Sequence, residues 1–328
     1  KGCFALLNHT SANRLKTMLA VALAVFLALG GRLAWLQLYK GLYYGRQADG
    51  NRMRSAVIMA PRGRIMDAHG KVLADSSPGY VLSLQAGHSF ADREVELLAR
   101  LLGMKQEEVR KKADRAANSY EQITLKGELT QQEITLLEEH LKELPGLSLD
   151  LQPMRHYLYK EMAAHVLGYV GEVSEEQLAR GRYKGLPPGS IVGKDGLEYV
   201  YDEVLRGQTG RRTEEVDVRG KLIRKLAGQA PVSGKDLVLT LDFGLQQHME
   251  QVLDKQLQVL RSSGIAPNAY AAAAVAMDPR TGAVRALVSR PGYDPNWFVG
   301  GISTAHWKVI NENVFHPLTN KVINGEYP

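Results

Sequence analysis

The sequence predicts an α+β protein with a single N-terminal transmembrane helix, and three observations carry that prediction. The run TMLAVALAVFLALGG at residues 17–31 is uncharged over its whole length. Beyond it, helices with legible starts alternate with short strand-like runs bounded by glycine and proline. Near the C-terminus, one helix and one apolar hairpin open a second region with too few elements to close a core of its own.

Charge and composition narrow the function classes. Hydrophobic residues make up 45% and charged residues 23% of the 328 residues, a globular balance. The net charge is +6, yet residues 1–54 hold eight Lys/Arg against the single acid Asp49, so the rest of the chain is slightly acidic. That surplus flanks the apolar run, and no basic stripe remains for nucleic acid. Cys3 is the only cysteine, which excludes an intrachain disulfide and a thiolate metal site. The nine histidines show no HxxxH or HExxH spacing, and Asp67-Ala68-His69 beside Gly70 reads as a turn. Neither a metal nor a cofactor is expected.

The apolar run alone gives about 22 Å of helix, short of a hydrocarbon core of roughly 30 Å. RLAWLQLY follows it, and with Arg32 snorkelling toward the interface the helix reaches about Tyr39. Trp35, Tyr39, Tyr43 and Tyr44 then form an interfacial aromatic belt. The rival is a cleaved signal peptide ending at Ala28-Leu29-Gly30, but the apolar pattern runs past that site, which favours an uncleaved anchor. Basic residues on both sides leave the orientation open.

After the anchor, Gly70 supplies a turn, residues 72–74 a short strand and residues 76–79 a second break. Asp92 caps a helix carrying Val95, Leu98, Leu101 and Leu102, which Gly103 stops. Thr130 and Glu133 form a capping box stapled by Leu129 and Ile134; Leu137, Leu141 and Leu144 continue its apolar face to Pro145-Gly146. Ser174 and Gln177 repeat the device between Val173 and Leu178, ending at Gly181. GKDGLEYVYDEVLRG is a further helix with Leu197, Tyr201 and Leu205 on one face. Its Glu198 and Asp202 lie one turn apart, a spacing that suits acid–base chemistry. Beside Arg206, Arg211 and Arg212, however, a structural ion-pair network is the better reading. From Gly234, DLVLTL reads as a strand, and Asp242 caps a helix whose inner face holds Leu245, Met249, Val252, Leu253, Leu257 and Leu260. YAAAAVAMDPRTGAVRALVS is a hairpin turned at residues 278–282, with Gly282 free to take positive φ and strands that want covering on both faces.

Several blocks now line up in order. The anchor ends RLAWLQL. RGRIMDAHGKVLA follows, with Arg62, Gly63, Ile65, Asp67, Gly70, Leu73 and Ala74, and then RHYLY with AAHVLGYVG. GKDGLEYVYDEVLRGQTG and EVDVRG supply Gly193, Gly196, Leu197, Glu198, Tyr201, Asp202, Leu205, Gly207, Gly210 and Gly220. LVLTLDFGLQ and VAMDPRTGAVRALVSRPGYDPNWFVGGIS close the series. The ordered set resembles the class B penicillin-binding proteins, single-pass peptidoglycan D,D-transpeptidases of bacteria. Residues 298–303 are most similar to the elongation type, penicillin-binding protein 2. Ala68-His69 stands where the family has Arg-Asn, and Leu158 where a proline is customary.

The resemblance implies a domain order: a cytoplasmic tail at 1–14, a transmembrane helix at 15–39 and a juxtamembrane linker at 40–60. An elongated pedestal of the dimerisation type follows at 61–233, and 234–328 is the incomplete start of a transpeptidase, β-lactamase-like domain. It implies a pedestal motif at Arg62, Gly63, Asp67, Gly70, Gly193, Gly196, Glu198, Tyr201, Asp202 and Gly207. Asp242, Asp278, Gly282, Asp294 and Asn296 would mark the start of the transpeptidase domain. The implied location is the bacterial cytoplasmic (inner) membrane, with a short cytoplasmic N-terminus and the bulk outside. The implied partners are the membrane glycan polymerase of the shape-and-division family and other elongation-complex proteins.

In the family, the stretch resembling PLTNKVINGEYP leads into Pro-Gly-Ser-Thr-Phe-Lys, whose Ser-x-x-Lys holds the nucleophile. No serine here lies three residues before a lysine and no Lys-Ser/Thr-Gly occurs; Ser11-Ala12-Asn13 precedes the anchor and is accidental. Lys321, Glu326 and Tyr327 lie near the expected serine, but none replaces it. The expectation is therefore the front part of an enzyme, inactive as it stands, with no catalytic residue before Pro328. The parent would attack the D-Ala-D-Ala bond of one stem peptide and pass the acyl group to an amine on a neighbouring strand. Stem peptides and β-lactams would engage the complete protein only. The alternative is a non-catalytic, membrane-anchored scaffold for cell-wall partners, against which the well-formed apolar hairpin argues.

Overall fold

The computed structural model describes residues 3–40, 53–119, 122–141, 143–179, 181–187, 189–216 and 222–325. The chain divides into two compact units, residues 1–55 with 213–227 and residues 56–212 with 228–328. The first unit contains helix α1 (Cys3–Ala34), continued by a π-helical turn at Trp35–Tyr39. Residues 3–29 hold no glycine or proline, so nothing breaks the helix before the apolar run and it starts well ahead of residue 15. Its span Met18–Tyr39 has 22 residues of mean hydropathy 2.0, none buried. At 1.5 Å per residue that is about 33 Å, enough to cross a hydrocarbon core. Arg32 and Lys40 each place their charge 4.9 Å from the Trp35 ring centroid, and Trp35 stacks on Tyr39. Tyr43 and Tyr44 lie outside the described residues.

The remaining elements follow in chain order: β1 (Met53–Ile58), β2 (Ile65–Met66), β3 (Val72–Leu84), α2 (Asp92–Leu102), α3 (Gln106–Ala117), β4 (Ile123–Lys126), α4 (Gln131–His140) and β5 (Leu147–Tyr157). Then come α5 (Ala164–Leu167), β6 (Val170–Glu172), α6 (Glu175–Ala179), β7 (Ile191–Gly193), α7 (Gly196–Val200), α8 (Asp202–Arg206), β8 (Gly210–Val216) and β9 (Leu222–Gln229). β10 (Leu237–Val238), α9 (Phe243–Ser262), β11 (Ala272–Met277), β12 (Val284–Arg290), α10 (Thr304–Asn311) and α11 (Lys321–Asn324) complete the order. β1, β8 and β9 form a three-stranded sheet with β8 in the middle.

The sheet that organises the second unit runs β10-β2-β3-β4, with β5 also paired to β3. β3 and β5 are antiparallel from Ala74↔Tyr157 to Leu84↔Leu147. The break expected at residues 76–79 is absent. Pro78 lies directly opposite Pro153, so the two missing N–H donors fall on one rung and the strands continue. α2, α3 and α4 cover one end of the sheet through Leu82, Leu84, Val95, Leu98, Leu125 and Leu137, all buried. A second cluster joins Ile65, Leu73, Tyr157, Leu167 and Leu205. A third brings Ala164 against Tyr293, Phe298 and Ile310, uniting the later residues with the earlier ones.

Caps behave largely as read. Thr130 Oγ1 accepts from Glu133 N–H while Glu133 Oε2 accepts from Thr130 N–H, and Ser174 and Gln177 make the same exchange. Asp92, however, is the first helical residue; Ala91 stands at the cap, where Glu94 Oε2 accepts its N–H at 2.7 Å. DLVLTL contributes only Leu237–Val238, parallel to β2. The helix expected across residues 193–207 is two short ones, interrupted at Tyr201 with φ −102°. Tyr201 is exposed, and Glu198, Asp202 and Leu205 take the buried face. α9 is rotated likewise: Leu245 and Val252 are exposed while Gln246, Glu250 and Leu257 are buried. The hairpin β11–β12 forms as expected with Gly282 at φ 72°. Among the described residues β12 is well covered, but Val275 and Met277 of β11 are more than half exposed.

Candidate functional site

The densest polar arrangement in the second unit is built from residues far apart in sequence. Glu198 is fully buried on α7, with Oε2 accepting from Arg62 Nε (2.5 Å) and Oε1 from Arg155 Nε (2.6 Å). Asp202, also fully buried, accepts through Oδ1 from Arg62 Nη1 (2.8 Å) and from Gly193 N–H (2.8 Å); Oδ2 lies 3.0 Å from Arg206 Nη1. Arg62 Nη2 donates to the Glu198 carbonyl and Arg155 Nη1 to the Gly63 carbonyl. Burial works against the Arg62 charge, but Glu198 and Asp202 outweigh it and hold the guanidinium above its ordinary pKa. Burial, then the Glu198 carboxylate, pushes the Tyr157 hydroxyl well above its usual value.

Both Glu198 oxygens and Asp202 Oδ1 are taken up by guanidinium and backbone donors, while Asp202 Oδ2 is buried with only the Arg206 ion-pair contact. The arrangement is a clamp, not an acid–base pair. Its cations are Arg62, Arg155 and Arg206, whereas the sequence reading placed Arg211 and Arg212 beside Arg206.

The backbone must come close for this clamp to form. Gly63 and Gly193 have no room for a Cβ, which would strike the carbonyls of Lys235 and Glu198. Gly196 (φ 57°) and Gly207 (φ 71°) combine positive φ with backbone neighbours that a Cβ would also strike. Gly70 (φ 84°) closes the turn that presents Asp67, and its N–H donates to the Asp67 carbonyl.

The residues read as the start of a second region pack onto the first through several side chains. Asp67 accepts from His69 N–H and Lys71 N–H through Oδ1 and from Phe243 N–H through Oδ2. Burial alone would raise its carboxyl, but the three backbone donors outweigh it and hold the pKa below its ordinary 3.8. Asp242 caps α9 through Leu245 N–H, and its Oδ2 lies 3.2 Å from His69 Nε2. Asp294 Oδ1 accepts from Asn296 N–H and Nδ2, which aims the Asn296 amide at Tyr157; Tyr157 N–H donates to Oδ1, and Nδ2 donates to its carbonyl. Glu250 bridges Ala163 N–H, Gln246 Nε2 and Arg290 Nη2. Asp278 and Gly282 stay in the hairpin turn, where Asp278 Oδ1 accepts from Arg280 N–H; they join neither cluster.

Sequence reasoning named Arg62, Glu198 and Asp202 but gave Arg155, Gln246, Glu250 and Arg290 no role. Arg155 stands inside the quoted RHYLY block, the one signal that could have found it. Gln246 and Glu250 interrupt an apolar stripe, which at helical spacing reads as solvent-facing.

Residues 57–239 match the family described as the Penicillin-binding Protein dimerisation domain. The chain is similar to peptidoglycan D,D-transpeptidase MrdA of Acinetobacter baumannii, 34% identical over 315 residues, covering 94% of this chain and 45% of the relative. It is also similar to MrdA of Escherichia coli, 30% identical over 300 residues, covering 89% and 45%. The chain thus spans under half the length of these curated relatives. Among solved structures, the complex of a penicillin-binding protein (PBP2) and MreC from Helicobacter pylori shares the fold at TM-score 0.64 and 24% identity, covering 82% of this chain and 49% of that one. A structure described as the coordination of polymerization and crosslinking by a peptidoglycan synthase complex matches at TM-score 0.54 and 31% identity, covering 94% and 51%.

Proposed function

The chain belongs to the penicillin-binding proteins that carry a dimerisation domain, and from that membership we propose that it is the N-terminal portion of a PBP2-type peptidoglycan D,D-transpeptidase. The observation that carries this is the 34% identity to a D,D-transpeptidase along 94% of the chain. Residues 15–39 anchor it once in the cytoplasmic membrane, with residues 1–14 on the cytoplasmic side and the bulk outside. Residues 61–233 are the pedestal and residues 234–328 begin the transpeptidase domain. The pedestal motif residues Arg62, Glu198 and Asp202 hold the pedestal rigid, while Asp67, Asp242, Asp294 and Asn296 fix the transpeptidase start upon it. The nucleophilic serine of the whole protein follows Pro328. It takes the acyl group of a stem peptide, releases D-alanine and hands the acyl group to a neighbouring amine.

The similar complexes, one with MreC and one described as a peptidoglycan synthase complex, support partners of the elongation-complex kind; by the family resemblance these include a membrane glycan polymerase engaged through anchor and pedestal. The test is to incubate membranes expressing the product of the whole gene with fluorescent penicillin. A labelled band that disappears when the serine of Ser-x-x-Lys is replaced by alanine supports the enzyme reading. No label on a well-expressed product, under conditions that label other transpeptidases, leaves the scaffold reading instead.

A further inference from the structure

We propose that His165 is a positioning residue for acyl transfer: from α5 it fastens the turn at residues 313–321, through which the chain approaches its nucleophile. The role rests on the transpeptidase reading, in which the serine follows Pro328 and α11 leads toward it. His165 is 7% exposed, and its Nε2 lies 2.6 Å from the Pro317 carbonyl. A carbonyl only accepts, so Nε2 carries a hydrogen and donates it. Burial, opposed by that bond and aided by the Lys321 charge, lowers the imidazole pKa, so the ring is neutral at pH 7. Tyr293 packs edge-on against the ring, 5.3 Å between centroids, and donates its hydroxyl to the Ala164 carbonyl.

The turn needs such a hold. His316 takes φ 46°, a left-handed conformation that non-glycine residues seldom adopt. Lys321, itself buried, donates through Nζ to the His316 and Thr319 carbonyls. From β12, Ser289 Oγ donates to the Thr319 carbonyl and accepts from Lys321 N–H at 3.0 Å. His165 brings α5 into this set, so the approach to the nucleophile is pinned to the pedestal and to β12 at once. A buried carbonyl that loses its donor costs free energy, which favours a shifted turn. A displacement of about 1 Å near a reacting group can cost about 100-fold in rate.

The test measures acylation of the whole gene's product by fluorescent penicillin, together with backbone hydrogen exchange. His165→Gln sets an amide nitrogen near the place of Nε2; His165→Asn sets it near Nδ1, too short to reach Pro317. His165→Asn should slow acylation about tenfold or more. It should also speed exchange in peptides covering residues 316–324 while β3 and β5 keep the wild-type pattern. His165→Gln should restore the rate to within about threefold of wild type. Ser289→Ala frees the same turn from β12 and should slow acylation too, a readout that stands even where the Asn variant fails to fold. A wild-type rate in His165→Asn or Ser289→Ala, a Gln variant as slow as the Asn one, or faster exchange throughout β3 and β5 would each overturn the proposal. A wild-type product that takes no penicillin sinks the enzyme reading itself, and this role with it.

Discussion

Arg62 donates to three acceptors on two elements that lie more than 130 residues further along the chain, and this is where single changes should tell most. Arg62→Ala takes a buried donor each from Glu198 Oε2, the Glu198 carbonyl and Asp202 Oδ1, a loss of about 3–5 kcal/mol in unfolding free energy. Arg211→Ala, at an exposed cation that the sequence reading placed in the network, should change stability by less than about 0.5 kcal/mol. Denaturant unfolding of the two variants separates these outcomes; equal losses would mean that the clamp's cations are misassigned.

Asp67 gives a pH test. Its carboxyl is held below 3.8 in the folded chain, so the folded state binds fewer protons than the unfolded one. The stabilisation is full above about pH 5 and fades as pH falls through 3.8 toward the depressed folded value. Asp67→Asn should flatten this part of the stability profile between about pH 5 and pH 2. An unchanged profile in that variant would show that Asp67 is not the group responsible.

At the scale of elements, α9 shows where reading by pattern succeeds and where it stops. Its start was legible because an Asp cap acts on a backbone N–H three residues away. Its buried face was not. Gln246 and Glu250 are buried because Leu287, Arg290 and Ala163 supply their partners, and none of those is local to the helix. The split at Tyr201 has the same origin: Asp202 turns inward to meet Arg62 and Gly193 N–H. Capping boxes, the hairpin and its glycine turn are local devices and were readable. The continuous β3 was not, since only pairing with β5 sets Pro78 opposite Pro153. Glu250→Ala should therefore cost about 3–5 kcal/mol by leaving Arg290 half-paired and Ala163 N–H bare. Val252→Ala, on the exposed stripe read as core, should cost under about 0.5 kcal/mol. The reverse order in urea unfolding would restore the apolar stripe as the packed face.

At the scale of the whole molecule, the order of motifs was more informative than any one residue. Arg62, Glu198 and Asp202 entered as parts of an ordered resemblance, and the structure gives them a shared position that no local pattern contains. The later residues 242–325 are tied to the earlier ones through Asp67, Tyr157, Ala163 and Ala164, whose partners are Phe243, Asn296, Glu250 and Tyr293 in that order. In a transpeptidase, that seam would hold the start of the catalytic domain on its pedestal. The most direct measurement is to sequence the gene straight through the codon for Pro328. The transpeptidase reading predicts Pro-Gly-Ser-Thr-Phe-Lys or a close variant carrying Ser-x-x-Lys, with Lys-Ser/Thr-Gly further on. A stop codon, or a continuation without Ser-x-x-Lys, would contradict it.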